Sequence, residues 1–167
     1  MMAGRPIRPS WSESTAMGTT VHLCLVEDPA VERAGQATDL HALVAEVDAV
    51  LSRFRPAGDV GRLNAAAGTW QPVGAHLVAV AEAAERYRSL TGGVFDTITG
   101  PGPEPRLRVR PTDSGEWEAR IGPGCSLDFG AIAKGYVADL VRDRATASGV
   151  LVSLGTSSIS VTGQPPE

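Results

Sequence analysis

The chain has 167 residues and a formal net charge of −4, with 15 basic against 19 acidic residues. That length suits one domain with a core of its own, and 43% hydrophobic with 20% charged residues is an ordinary globular balance. No basic run exceeds Arg106, Arg108 and Arg110, which excludes the footprint of nucleic-acid binding, and no apolar run is long enough for a transmembrane segment.

Aromatic residues make up only 5% of the chain, so the core is expected to be aliphatic and alanine-packed. Cys24 and Cys125 lack C-x-x-C or metal-like spacing, and both fall in expected strands, where a thiol serves as a small apolar side chain. A reducing compartment fits two such cysteines. The first sixteen residues show no apolar core of a signal peptide. A cytoplasmic location is expected.

Residues 1–14 read as a disordered leader. Residues 15–27 alternate and are β-branched, hence a strand. Asp28-Pro29 is a helix-start signal, and Leu40, Leu43, Val44, Val47, Leu51 and Phe54 form an amphipathic stripe that Pro56 ends. Asp59-Val60-Gly61-Arg62-Leu63-Asn64 predicts a helical turn and residues 70–73 a short strand. A second amphipathic helix carries Leu77, Val80, Ala81, Ala84 and Tyr87 and stops at Thr91-Gly92-Gly93. Residues 94–101 read as a short β segment, and 101–115 as a Pro-, Gly- and Arg-rich loop. Residues 117–121 and 125–129 form a hairpin in this reading, joined through Gly122-Pro123-Gly124. A helix over 131–148, a buried strand over 150–155 and an alternating strand over 158–162 complete the domain; residues 164–167 are a tail. Strands and helices without strict alternation predict an α+β fold, with a mixed or antiparallel sheet packed against amphipathic helices.

The stretch from Cys125 to Tyr136 reads as a buried strand, a glycine turn and a helix start. Leu127 and Phe129 bracket Asp128; Ile132, Tyr136, Val137, Leu140 and Val141 begin a helical stripe. A helix opening after a glycine presents unpaired N–H groups and a positive dipole end, which accept phosphates. Lys134 adds a positive charge there. Gly135 is out of place, because glycine inside a helix costs about 1 kcal/mol relative to alanine. The residues alone fit two readings: a phosphate site, or a packing unit in which Gly135 lets another element approach. No nucleophile elbow, Walker loop, H-E-x-x-H pair or G-x-G-x-x-G is present, and His22, His41 and His76 are scattered enough to be structural or solvated.

Several glycine-bounded polar stretches, taken in order, resemble the ApbE family, the FAD:protein FMN transferases. They are Met17-Gly18-Thr19, Leu51-Ser52-Arg53-Phe54 through Leu63-Asn64, Gly93-Val94-Phe95-Asp96-Thr97-Ile98-Thr99-Gly100-Pro101, and Leu127-Asp128-Phe129-Gly130-Ala131-Ile132-Ala133-Lys134-Gly135-Tyr136 with Asp139. The resemblance covers roughly residues 15–163 and implies an ApbE-like FAD-binding domain there. It implies an enzyme that splits the pyrophosphate of FAD and attaches the FMN half, through a phosphoester, to a Thr or Ser of an acceptor flavoprotein, with Mg²⁺. By motif, Met17, Phe54, Asn64, Val94, Phe95, Asp96, Asp128 and Lys134 would line the FAD. Ala131 would offer an oxygen to the metal, and Gly135 would let the backbone approach the ligand. No catalytic residue is assigned.

Two departures stand out. Where the family shows a Gly-Gly-Asp-like run, this chain has Gly155-Thr156-Ser157-Ser158. Family chains also continue into a segment that supplies further metal ligands, so the domain is expected to be incomplete: a fragment, or a short FAD-binding module without full catalysis. FAD binding with little or no FMN transfer is expected of these 167 residues alone. A decayed, purely structural relative is a third reading, against which the retained Asp96, Asp128 and Lys134 argue.

Overall fold

The computed structural model describes residues 8–27, 35–101 and 107–163, and it divides into two compact units. The first comprises residues 1–46 and 134–167, the second 47–133. The helix start expected at Asp28-Pro29 and the tail 164–167 lie outside the described residues.

The first unit is built on an antiparallel sheet of β1 (Arg8–Ala16), β2 (Thr19–Glu27), β8 (Gly149–Leu154) and β9 (Ser158–Thr162), in the order β1-β2-β8-β9. Val21, Leu23 and Leu25 alternate along β2, and Val150, Val152 and Leu154 along β8, to form its buried face. Helix α4 (Ala133–Arg144) lies over β9, where Arg142 donates to Ser160 Oγ at 3.0 Å. Over β1 lies α1 (Gln36–Leu51), whose His41 sits between two serines, Nε2 to Ser12 Oγ at 2.9 Å and Nδ1 to Ser14 Oγ at 2.7 Å. Residues 8–14, expected in a disordered leader, are therefore strand. They pair in full register with β2 from Arg8↔Glu27 to Ala16↔Thr19. The turn between the two strands has only two residues, Met17 at φ 53° and Gly18 at φ 69°, the left-handed pair of a type I′ hairpin. Methionine bears some strain there.

In the second unit, α2 (Asp59–Ala65) and α3 (Ala75–Leu90) accompany a three-stranded sheet, β3 (Gln71–Val73), β6 (Trp117–Arg120) and β5 (Arg108–Pro111), in the order β3-β6-β5. A two-stranded ladder joins β4 (Ile98–Thr99) to β7 (Ser126–Leu127). The core is aliphatic, as the composition requires: Val60, Leu63, Leu77, Val80, Ile121 and Leu127 are fully buried with Phe129. Asp59 ties α2 to the start of α3, accepting from Arg62 on its own helix at 2.7 Å and from the Gly74 N–H at 2.8 Å. Gly61 is required by packing, since a Cβ there would fall 2.1 Å from the Arg55 carbonyl oxygen.

The expected α+β class holds, with every strand pairing antiparallel. Four boundaries are corrected. The hairpin expected across Gly122-Pro123-Gly124 does not form, because β6 has both edges occupied by β3 and β5 and β7 pairs with β4 instead. Part of the expected loop 101–115 is strand β5. Helix α1 ends at Leu51, before Phe54. Helix α4 ends at Arg144, and the Gln36 side chain takes the Thr146 N–H at 2.7 Å. No helix among the described residues is long and apolar enough to cross a membrane. Cys24 and Cys125 are free and buried, and burial pushes the Cys24 thiol up.

Burial lowers the His41 pKa from the ordinary value of 6.5. Above that pH the imidazole is neutral whether the chain is folded or not, and stability is full. Below it the unfolded chain takes up a proton that the folded chain resists, so stability falls. Thermal unfolding followed from pH 7 to pH 5 should show a declining Tm, and a His41→Gln variant should show a shallower decline.

Candidate functional site

Residues 127–130 form the best-defined polar turn of the second unit. Asn64, on α2, clasps the Leu127 backbone from both sides: its Nδ2 donates to the Leu127 carbonyl at 3.0 Å, and its Oδ1 accepts the Leu127 N–H at 2.7 Å. On the opposite side of the strand, the Asp128 N–H donates to the Thr97 carbonyl at 2.9 Å. Leu127 and Phe129 point into the core, so Asp128 is turned outward. Its Oδ1 accepts the Gly130 N–H at 2.8 Å, and its Oδ2 lies 3.3 Å from Arg53 Nε.

Arg53 in turn lies over the ring of Phe54, with Cζ 4.6 Å from the centroid. Phe54 is 78% exposed. Since α1 has already ended, its ring is an open aromatic face and no part of the helix stripe.

Further along, Asp96 organises its own loop, accepting the Ile98 N–H at 2.9 Å and pairing with Arg88 at 3.3 Å. Phe95 meets Tyr87 edge to face at 6.0 Å, and Val94 is 91% exposed. A cleft of about 190 Å³ beside this loop is lined by Arg88, Asp96, Thr97, Ile98, Leu107 and Val109, among others. Ligand pockets run from about 300 Å³ upward, so the cleft is too small for a dinucleotide. Of the expected FAD residues it takes in Asp96; Phe54, Asn64 and Asp128 are not among its lining residues.

Two expected residues belong to the first unit. Met17 is the strained, half-buried tip of the β1–β2 hairpin; strain of this kind clusters at ligand sites. Lys134 stands in the first turn of α4. The Ile132 and Ala133 N–H groups both reach the Phe129 carbonyl, at 2.9 and 2.8 Å, so the Lys134 and Gly135 N–H groups are the ones a helix start leaves open. Lys134 makes no hydrogen bond or ion pair with any described residue, and it is the only lysine in the sequence. A Cβ on Gly135 would meet nothing within 4 Å. Among the described residues, therefore, no packing contact requires the missing side chain of Gly135.

The Mg²⁺ expectation finds little support in these side chains. Among the described residues no three of His, Cys, Asp and Glu come together to hold a metal ion. Both Asp128 oxygens are engaged, leaving the exposed Ala131 backbone as a lone donor. Mg²⁺ asks for near-octahedral oxygens, and these residues do not fit it. Arg53 is the participant that sequence reasoning left out of the site. Its motif was visible, but its link to Asp128, 75 positions on, is a product of the fold.

A model of the ApbE family matches residues 17–104. Over 90% of its length the chain is 27% identical to an FAD:protein FMN transferase of Vibrio cholerae and covers 53% of that protein. The chain thus spans about half the length of the curated relative it matches. Among solved structures it is similar to the flavinyl transferase ApbE of Pseudomonas stutzeri, with a TM-score of 0.80 at 22% identity, covering 99% of this chain and 62% of that one. The flavin transferase ApbE of Vibrio cholerae gives a TM-score of 0.75 at 24% identity, covering 96% and 61%.

The geometry gives Asn64 a scaffold role of its own. Asn64→Ala leaves the Leu127 N–H and carbonyl without partners and should destabilise the fold by about 2 kcal/mol or more. In a thermal melt that is a fall in Tm of roughly 4–8 °C; an unchanged Tm would remove Asn64 from the scaffold.

Proposed function

The chain belongs to the ApbE family, and on that premise we propose that it acts as an FAD:protein FMN transferase, moving FMN from FAD to a Thr or Ser of an acceptor flavoprotein. The observation that carries this reading is the first turn of α4, where Lys134 has no partner among the described residues and a Cβ on Gly135 would meet none of them within 4 Å. A helix start with open N–H groups, a mobile cation and no side chain in the way is suited to a pyrophosphate.

The proposed reaction is a phosphoryl-centred displacement. The acceptor hydroxyl oxygen attacks the phosphorus of the FMN half, and a P–O bond forms as the bond from that phosphorus to the bridging oxygen breaks. AMP leaves with the electron pair, and the hydroxyl proton is released. Lys134 would hold the phosphate oxygens and stabilise the charge that builds on them. In the unit 47–133, the exposed ring of Phe54 offers a stacking face for a flavin or adenine ring. Val94, Phe95 and Asp96 are further candidates for contact with the nucleotide, as is Met17 in the other unit. No residue is assigned as base, and no step is routed through Mg²⁺.

Titration of flavin fluorescence should show tighter binding of FAD than of FMN or riboflavin; equal affinity for FAD and riboflavin overturns the phosphate site. Lys134→Ala should weaken FAD binding by about 1–3 kcal/mol. Gly135→Ala should separate function from folding: stability holds, or rises by about 0.5–1 kcal/mol from helix propensity, while FAD affinity drops. Transfer is tested by incubating the chain with FAD, Mg²⁺ and an acceptor flavoprotein and reading covalent flavin fluorescence on a denaturing gel. A dark acceptor band despite tight FAD binding would reduce the chain to a binder.

A further inference from the structure

The sheet of the first unit has two edges, β1 and β9, and they differ in what they show to a passing strand. β1 is guarded in the ways edge strands commonly are: Pro9 has no N–H to give a neighbour, and Glu13 is 73% exposed beside His22. β9 has no such guard. Its sequence Ser158-Ile159-Ser160-Val161-Thr162 holds no charge, proline or glycine, and among the described residues it pairs with β8 alone. Ser160 is buried on the helix side, where Arg142 of α4 donates to its hydroxyl. Ile159 and Val161 fall on the opposite face, 63% and 58% exposed. We propose that β9 is a dimer edge, pairing antiparallel with β9 of a second copy about a twofold axis through Ser160.

The register is the argument for a second copy as the occupant. Antiparallel pairing about Ser160 sets Ile159 opposite Val161 of the other copy, and does so twice, while Ser158 lies opposite Thr162. Each apolar side chain then meets an apolar one and each hydroxyl a hydroxyl, the kinds of cross-strand pair that stabilise a sheet. No charge on either strand meets its like. Such a contact uses the same patch on both copies and closes on itself, so it yields a dimer and no fibre. A stack through the outer face of the sheet has less to draw on. In the row Trp11, Cys24, Leu151 and Val161, Cys24 is already buried and Leu151 half-buried. The apolar exposure of that row lies at its ends, and β9 is the end where a neighbouring Ile159 doubles it.

The test is sedimentation of the whole chain over a concentration series, for wild type, Ile159→Lys, Val161→Glu, an equimolar mixture of these two, and Trp11→Ser, each with melting curves. Wild type should pass from monomer to dimer as concentration rises, and its Tm should rise in step. Each charged variant should raise the dissociation constant at least about tenfold, since it spoils two cross-strand pairs at once. At the lowest concentration it should melt with wild type, which separates lost pairing from lost folding. The mixture should regain dimer, because the new ammonium of one variant faces the new carboxylate of the other across the seam. Trp11→Ser, at the far edge of the sheet, should leave the dissociation constant within about twofold. A wild type that stays monomeric overturns the proposal and leaves the β9 edge to a strand of some other polypeptide. Charged variants that dimerise like wild type, a mixture no better than either variant alone, or dissociation by Trp11→Ser would each overturn it too, the last in favour of contact through the outer face.

Discussion

The polar turn of the second unit depends on one side chain acting as a stretch of backbone. Strands β4 and β7 have two residues each, too few for a ladder to stand alone. The Asn64 carboxamide supplies the missing neighbour, because it carries a donor and an acceptor in the same geometry as a peptide group. It binds the Leu127 N–H and carbonyl on the side that β4 does not reach. Once Leu127 is fixed, the pleat sets the rest. Leu127 and Phe129 go inward and Asp128 outward, where its oxygens are taken by Gly130 and Arg53. The resemblance implies Asn64 as a ligand residue; in the fold one N–H and the oxygen of its carboxamide hold the strand that presents Asp128.

Much of the fold was legible because burial leaves a period in the sequence. The stripe Leu40, Val44, Val47 and Leu51 on α1, the Leu77–Ala84 face of α3 and the alternation of β2 and β8 all reappear as buried positions. Strand β1 was not legible for a physical reason. Its inward positions include Ser12 and Ser14, whose partner is a histidine on α1, while Trp11 and Glu13 face out. A strand that is polar on its inner face carries no apolar alternation. The 117–129 hairpin failed differently: both halves are strands, but partner choice depends on which edges are free, and β6 has none.

For the candidate site, residue types were readable and pairings were not. Asp96 and Asp128 were visible as isolated carboxylates, Asp128 between two apolar neighbours. Their cations, Arg88 and Arg53, lie on different elements, and no local period connects them. Phe54 illustrates the opposite case. It continued the apolar stripe of α1 on paper, but the helix stops at Leu51, and the ring is left in solvent with a guanidinium on its face.

The distribution of positive charge gives a last line of argument. The chain uses arginine for every cation except one. Arginines 53, 55, 62, 88, 110 and 142 each pair with a carboxylate, work for which a planar fork of donors is suited. Lys134 has no such partner among the described residues. An ammonium is a compact charge on a flexible stem and does not impose a bidentate geometry, so it can follow a phosphate whose oxygens shift as a P–O bond breaks. An arginine in the first turn of α4 would tend to settle on a carboxylate, as its counterparts on α2, α3 and the C-terminal turn of α4 do. Among the described residues no side-chain contact holds Lys134 and none would meet a Cβ on Gly135, which is what the proposed phosphate site asks of that turn.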